Sequence, residues 1–121
     1  MARTPAAAPL AGLVCLDLST GIPGAYATKL LADAGASVTK LEAQGGDPLR
    51  RWTACGAPLA AGEDGALFQY LAAGKRIQSV AGMSKPTGIL YFPEKNRIFV
   101  PNCDDGTLKI LEGARFELVE T

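Results

Sequence analysis

Ser19, Gly21 and Gly24 stand at the spacing of a GxGxxG phosphate turn with its first glycine replaced, and Glu42 follows at the end of the next expected strand. In a dinucleotide site the glycines let the backbone approach a pyrophosphate, the helix start supplies N–H donors, and the acid takes a ribose hydroxyl. Ser19 in the tight-turn position and Pro23 within the segment argue against a nicotinamide cofactor. A loop that only turns a strand into a helix accounts for the same residues. Lys75 and Arg76 are adjacent cations suited to phosphate, Arg through paired hydrogen bonds and Lys as a point charge. A solvated surface pair is the plain alternative. The chain has no His, which excludes imidazole acid/base chemistry, Ser-His-Asp and Cys-His nucleophiles and the commonest metal ligand. Carboxylates, Lys, Tyr and Cys remain.

Among these, Asp17 and Asp33 belong to a strand end and a helix. Asp47, in Gln44-Gly45-Gly46-Asp47-Pro48, reads as a side chain bonding its own turn. Cys15, Cys55 and Cys103 form neither a CxxC pair nor an even set, so neither a disulfide framework nor zinc is expected, and a reducing cytoplasm is the expected location. No base is identifiable beside Cys55. Asn102, Asp104 and Asp105 read as a hairpin turn rather than a calcium loop, and no metal is expected.

Composition narrows the classes further. Among 121 residues, 12 Lys plus Arg balance 12 Asp plus Glu, which leaves no electrostatic footprint for nucleic acid or an anionic membrane. With 48% hydrophobic residues the chain is too apolar for a disordered tail. Met1 to Leu16, with Arg3, faintly resembles a secretory leader, but Pro5 and Pro9 interrupt it. No run reaches the roughly 18 apolar residues that span a bilayer.

The elements that must position these residues change character near residue 77. Alanine is dense before Gly74, and only Ala81 and Ala114 follow it. Leu13 to Leu18 is an apolar run suited to a strand buried on both faces. A helix follows from about Ala25, with Ala27, Leu30, Leu31 and Ala34 together on one apolar face and Gly35 as a left-handed C-terminal cap. Ser37 to Leu41 makes a second strand ending at Glu42, closing a βαβ unit with a parallel pair. The type of Ala66–Leu71 is not settled by periodicity. Beyond Ile77, Ile89–Phe92 and Arg97–Val100 flank Pro93-Glu94-Lys95-Asn96 as a hairpin in which Asn takes positive φ. Asp105-Gly106 and Gly113 then turn the chain into Thr107–Leu111 and Arg115–Val119. Alternation places Leu108 and Ile110 opposite Lys109, with Phe116 and Leu118 opposite Arg115 and Glu117, one face buried and one wet.

Pro9–Ser19, Gly24–Glu42, Gly45-Gly46-Asp47-Pro48-Leu49-Arg50 and Gly74-Lys75-Arg76 strongly resemble, in order and spacing, the N-terminus of the family III CoA-transferases, the CaiB/BaiF group, over residues 9–76. The resemblance implies movement of CoA between carboxylic acids, or racemisation of 2-methylacyl-CoA esters. It also implies interlocked homodimers with a doubly wound α/β domain. Its CoA contacts fall on Gly21, Ile22 and Pro23, with Gly24 closing the turn, and on Lys75 and Arg76. A basic residue often follows the family's Glu where Ala43 stands here. The family's nucleophile is an Asp well downstream, and no residue of this chain matches it.

Residues 77–121 resemble one blade of a YVTN/NHL-type β-propeller, through Ile77–Val80, Lys85–Tyr91, Lys95–Val100 and Asp105–Ile110. The expected fold is therefore α/β: a truncated βαβ of a doubly wound parallel sheet over 1–76, then a four-stranded antiparallel β-meander over 77–121. The two resemblances together describe a chimera without turnover, with coenzyme A as a weak ligand and no catalytic residue assigned. Two alternatives are a CoA-transferase completed by a partner that supplies the missing domain, and an interaction module that makes a homodimer through the meander.

Overall fold

A computed structural model describes residues 6–121, so Arg3 and Pro5 of the leader-like stretch lie outside the described residues. Strand β1 (Val14–Asp17) leads through Gly21 into helix α1 (Ile22–Asp33) and on to β2 (Ser37–Ala43). β1 and β2 pair in parallel from Val14 opposite Ser37 to Asp17 opposite Lys40, which is the expected βαβ unit. The helix starts earlier than Ala25 because Pro23, with its preset φ and missing N–H, is tolerated in a first turn.

Gly35 ends the helix as expected. Its φ is +100°, its N–H reaches Ala32 O at 2.9 Å, and the Ala36 N–H reaches Leu31 O at 3.0 Å. A Cβ there would also fall 2.3 Å from that of Ala8.

Two burial expectations are corrected. β1 is an edge strand of a sheet ordered β1-β2-β3, and Val14 is 69% exposed; continuous burial falls on β2 instead, from Val38 through Glu42. On α1 the buried positions are Ala25 and Lys29, while Ala27 and Leu30 face solvent. Lys29 lies inward because its stem packs while its ammonium meets Asp33 and the Tyr70 ring.

A 3-10 turn (Pro48–Arg51) and helix α2 (Ala66–Ala72) follow, which settles Ala66–Leu71 as helical. Leu49, Phe68, Leu71 and Ala25 form a buried apolar cluster. β3 (Arg76–Val80) then joins the α/β sheet. Ile77–Val80, read from sequence as the opening of the blade-like half, is therefore part of the first sheet.

β4 (Leu90–Phe92), β5 (Arg97–Pro101), β6 (Leu108–Glu112) and β7 (Leu118–Glu120) form the four-stranded antiparallel meander in chain order. Asn96 takes φ +48° in the first hairpin, as its sequence position suggests. On β6 the buried face is the reverse of the expected one, and of Phe116 and Leu118 only Phe116 is buried as expected. Ile98 opposite Leu111 and Val100 opposite Lys109 are buried, while Leu108 is 45% exposed. Lys109 turns its ammonium to the Thr121 hydroxyl at 3.2 Å, so a charged residue lies on the covered side. Phe116 is buried, at φ +59° in the turn that precedes β7.

The chain divides into two compact units, one holding the residues up to Leu41 and Asp47–Gln78, the other Glu42–Gly46 and Ser79–Thr121.

Candidate functional site

The turn that leaves β1 is built around Asp17, whose side chain is almost wholly buried. Its Oδ1 accepts the Ser19 N–H at 2.9 Å and the Ser19 hydroxyl at 2.6 Å. Its Oδ2 accepts the Thr28 hydroxyl at 2.7 Å and Lys75 Nζ at 3.0 Å. Lys75 donates further to Thr28 Oγ1 at 2.7 Å and to Ala25 O at 2.8 Å. An ammonium has three protons, and these three acceptors take them all. The Lys75 side chain is 1% exposed and has no donor left for a phosphate.

Ser19 is gripped from its other side as well. Lys40 Nζ donates to the Ser19 carbonyl at 2.7 Å and pairs with Asp47 Oδ2 at 2.7 Å, both side chains being buried. Asp47 Oδ1 accepts the Leu49 N–H at 2.8 Å, which is the expected bond to its own turn. Lys40 is thus the partner of Asp47 Oδ2 in a buried ion pair.

Above this network lies the turn itself. Gly21 is the N-cap of α1, with no side-chain capping bond and no acidic residue in the first turn. Ile22 and Gly24 are left with N–H groups that have no intrahelical acceptor, and Pro23 has none to offer. Gly24 is required by close approach, because a Cβ on it would fall 2.5 Å from the Ser19 Cβ. Gly21, Ile22 and Pro23 are exposed. Arg76 is exposed, its guanidinium donating to Gln78 Oε1 at 2.6 Å. The structure thus brings Lys75 to the first turns of α1, through its contacts with Asp17, Ala25 and Thr28.

Other sequence-flagged residues fall elsewhere. Glu42 is buried in β2. Asn102 is buried, donating to Gly82 O at 2.9 Å, and Asp105 accepts the Thr107 N–H at 3.0 Å, an ordinary turn. Among the described residues no group of His, Cys, Asp or Glu could hold a metal ion, and no helix is long and apolar enough to cross a membrane. Cys15 is held as a thiol: burial raises its pKa, the neighbouring Asp17 carboxylate raises it further, and Lys75 only partly opposes them. Cys55 and Cys103 are exposed and free.

For Asp17 itself, burial alone would raise the pKa. The hydrogen bonds from Ser19 and Thr28, with Lys40 and Lys75 nearby, outweigh burial and hold the carboxyl below its ordinary value. Ionised Asp17 therefore stabilises the fold at every pH above the ordinary Asp range, and that contribution is lost as pH falls through the depressed folded value. The difference in unfolding free energy between the wild type and Asp17→Asn is expected at full size at pH 7, shrinking below about pH 4. Urea titrations at successive pH values measure it. A difference that stays constant down to pH 3 would refute this account.

A βαβ unit that opens at the first strand's carboxyl end into a glycine-bearing helix start is the entry segment of an open α/β ligand-binding fold. The chain belongs to CoA-transferase family III, whose sequence pattern matches residues 10–90. An acyl-CoA transferase of Fusarium pseudograminearum (strain CS3096) is 42% identical over 69 residues, covering 55% of this chain and 15% of the relative. Among solved structures, a CaiB/BaiF family protein from Brucella suis superposes with a TM-score of 0.52 at 30% identity, covering 60% of this chain and 19% of that one. A hypothetical protein from Mycobacterium tuberculosis gives a TM-score of 0.50 at 32% identity, covering 61% of this chain and 19% of that one. This chain therefore spans less than a fifth of the length of these relatives. The family match runs past residue 76 and includes β3.

Proposed function

We propose that this chain carries the CoA-binding entry segment of a family III CoA-transferase, with the exposed turn Gly21–Gly24 and Arg76 as the ligand contacts. One observation carries the reading. Lys75 Nζ donates to Asp17 and to Ala25 O, so two segments far apart in sequence, each matched to the family's CoA contacts, meet at one helix start. The N–H groups of Ile22 and Gly24, which have no intrahelical acceptor, suit a phosphate oxygen, and the Arg76 guanidinium suits a second phosphate or the adenine face. Lys75 positions the turn without touching the ligand.

No aspartate of the chain is assigned as nucleophile, so binding without turnover is the activity proposed for these residues alone. Acyl transfer requires a polypeptide that supplies the remainder of the family fold. The β4–β7 meander is proposed as a blade-like module outside the CoA contacts, its start placed after β3; its consecutive antiparallel order supports that division. Cytoplasmic residence belongs to the same reading.

A CoA titration of isotope-labelled protein, followed by backbone amide shifts, tests the binding. Saturable shifts confined to Ser19–Ala25 and Arg76 are expected, and Arg76→Ala should weaken them about tenfold, the ~1.4 kcal/mol of one charged hydrogen-bond contact. Amides unmoved by millimolar CoA would overturn the proposal.

A further inference from the structure

We propose that the buried Asp17–Thr28–Lys75 cluster, with Lys40 on the opposite side of Ser19, is a positioning device that sets the backbone of the Ser19–Gly24 turn for CoA. The inference rests on the proposed CoA reading and extends it to residues that do not touch the ligand. Both sides of Ser19 are fixed: its N–H and hydroxyl belong to Asp17, its carbonyl to Lys40. A serine held in this way has little rotational freedom, and Gly24 closes directly over its Cβ. The direction of the Ile22 and Gly24 N–H groups is thereby decided before any ligand arrives. Such prior ordering lowers the entropy lost on binding.

Charge gives the cluster a second task. Asp17 lies beneath a helix start proposed to take phosphate, and a bare carboxylate there would repel it. Lys75 and Lys40 compensate Asp17 and Asp47 from within, so the two buried cations match the two buried carboxylates. Thr28 links the pieces, donating to Asp17 and accepting from Lys75. A purely structural ion pair would affect stability alone; a positioning device also governs the turn.

The test compares Thr28→Val, which keeps side-chain shape and loses the hydroxyl, with Thr28→Ser, which keeps the hydroxyl. Lys75→Met is the stronger variant, and Thr28→Val covers the case in which Lys75→Met does not fold. Amide resonances of the ligand-free full chain are recorded first, then CoA affinity. Thr28→Val is expected to move the Ser19–Gly24 resonances, leave those of α2 in place and weaken CoA about tenfold, equivalent to ~1.4 kcal/mol; Thr28→Ser restores both. Unmoved turn resonances in Thr28→Val, or moved resonances that Thr28→Ser fails to restore, would overturn the device. If the wild type itself does not bind CoA, the binding reading fails separately, and the ligand-free resonances still decide whether the cluster sets the turn.

Discussion

Lys40→Met is expected to destabilise the unit that contains it by about 3–5 kcal/mol, the usual consequence of removing one partner from a buried ion pair. Lys40 and Asp47 are both almost fully buried, and Lys40 also donates to the Ser19 carbonyl. Methionine fills much of the same volume, so lost packing is a minor term. The dominant cost is an Asp47 carboxylate left without a counter-charge in a site where water does not reach it. Adding Asp47→Asn removes that charge, while an amide oxygen can still accept the Leu49 N–H that starts the 3-10 turn. The double variant Lys40→Met/Asp47→Asn should recover about half of the loss or more, since removing both charges of a buried pair is often near neutral. Urea unfolding followed by fluorescence of Trp52, the chain's one tryptophan, reports on this unit directly. A single-variant loss under about 1 kcal/mol would place the pair among solvent-screened contacts, where surface ion pairs fall.

That pair also marks the limit of what the sequence discloses. The βαβ unit was legible because its signals are local: an apolar run, a helical stretch, a glycine where a left-handed cap is wanted, and a second apolar run. Gly35 and Asn96 adopt the positive φ that their positions imply. The covered faces were harder to read, because three of the residues concerned are lysines. Lys29, Lys40 and Lys109 are buried, whereas lysine is ordinarily a sign of the wet side. An inward lysine reverses a pattern-based assignment of faces, as happened for α1 and for β6. The Gly21–Gly24 turn was marked by its glycine spacing and the Lys75-Arg76 pair by adjacent charge, and the family resemblance tied both to CoA. The division of labour within the pair depends on Asp17, which lies 58 positions from Lys75 in sequence. Nothing local to Lys75 distinguishes a buried donor from a solvated one. Thr28, one helical turn beyond the flagged residues, gave no signal of its own.

Phe68→Ala is expected to cost about 3–5 kcal/mol, the range for truncating a buried aromatic side chain. Helix α2 has seven residues, too few to persist by its own hydrogen bonds, so its inward side chains must hold it. Phe68 and Leu71 are those side chains, packed with Leu49 and with Ala25 of α1. The Arg50 guanidinium lies 4.2 Å from the Phe68 ring centroid and pairs with Asp64, so the ring also anchors a cation that ties the 3-10 turn to the chain ahead of α2. Phe68→Leu keeps an apolar filling and should cost about 1 kcal/mol or somewhat more, chiefly the lost ring–guanidinium contact. The same urea titration measures both variants. A Phe68→Ala loss no larger than that of Phe68→Leu would mean that the site collapses around the smaller side chain. The consequence for ligand binding follows from Ala25, which joins this cluster and, through its carbonyl, accepts from Lys75. Loosening the cluster releases the first turn of α1 from below. Phe68→Ala should therefore weaken the proposed CoA binding even where the protein remains mostly folded, while Phe68→Leu should leave it unchanged.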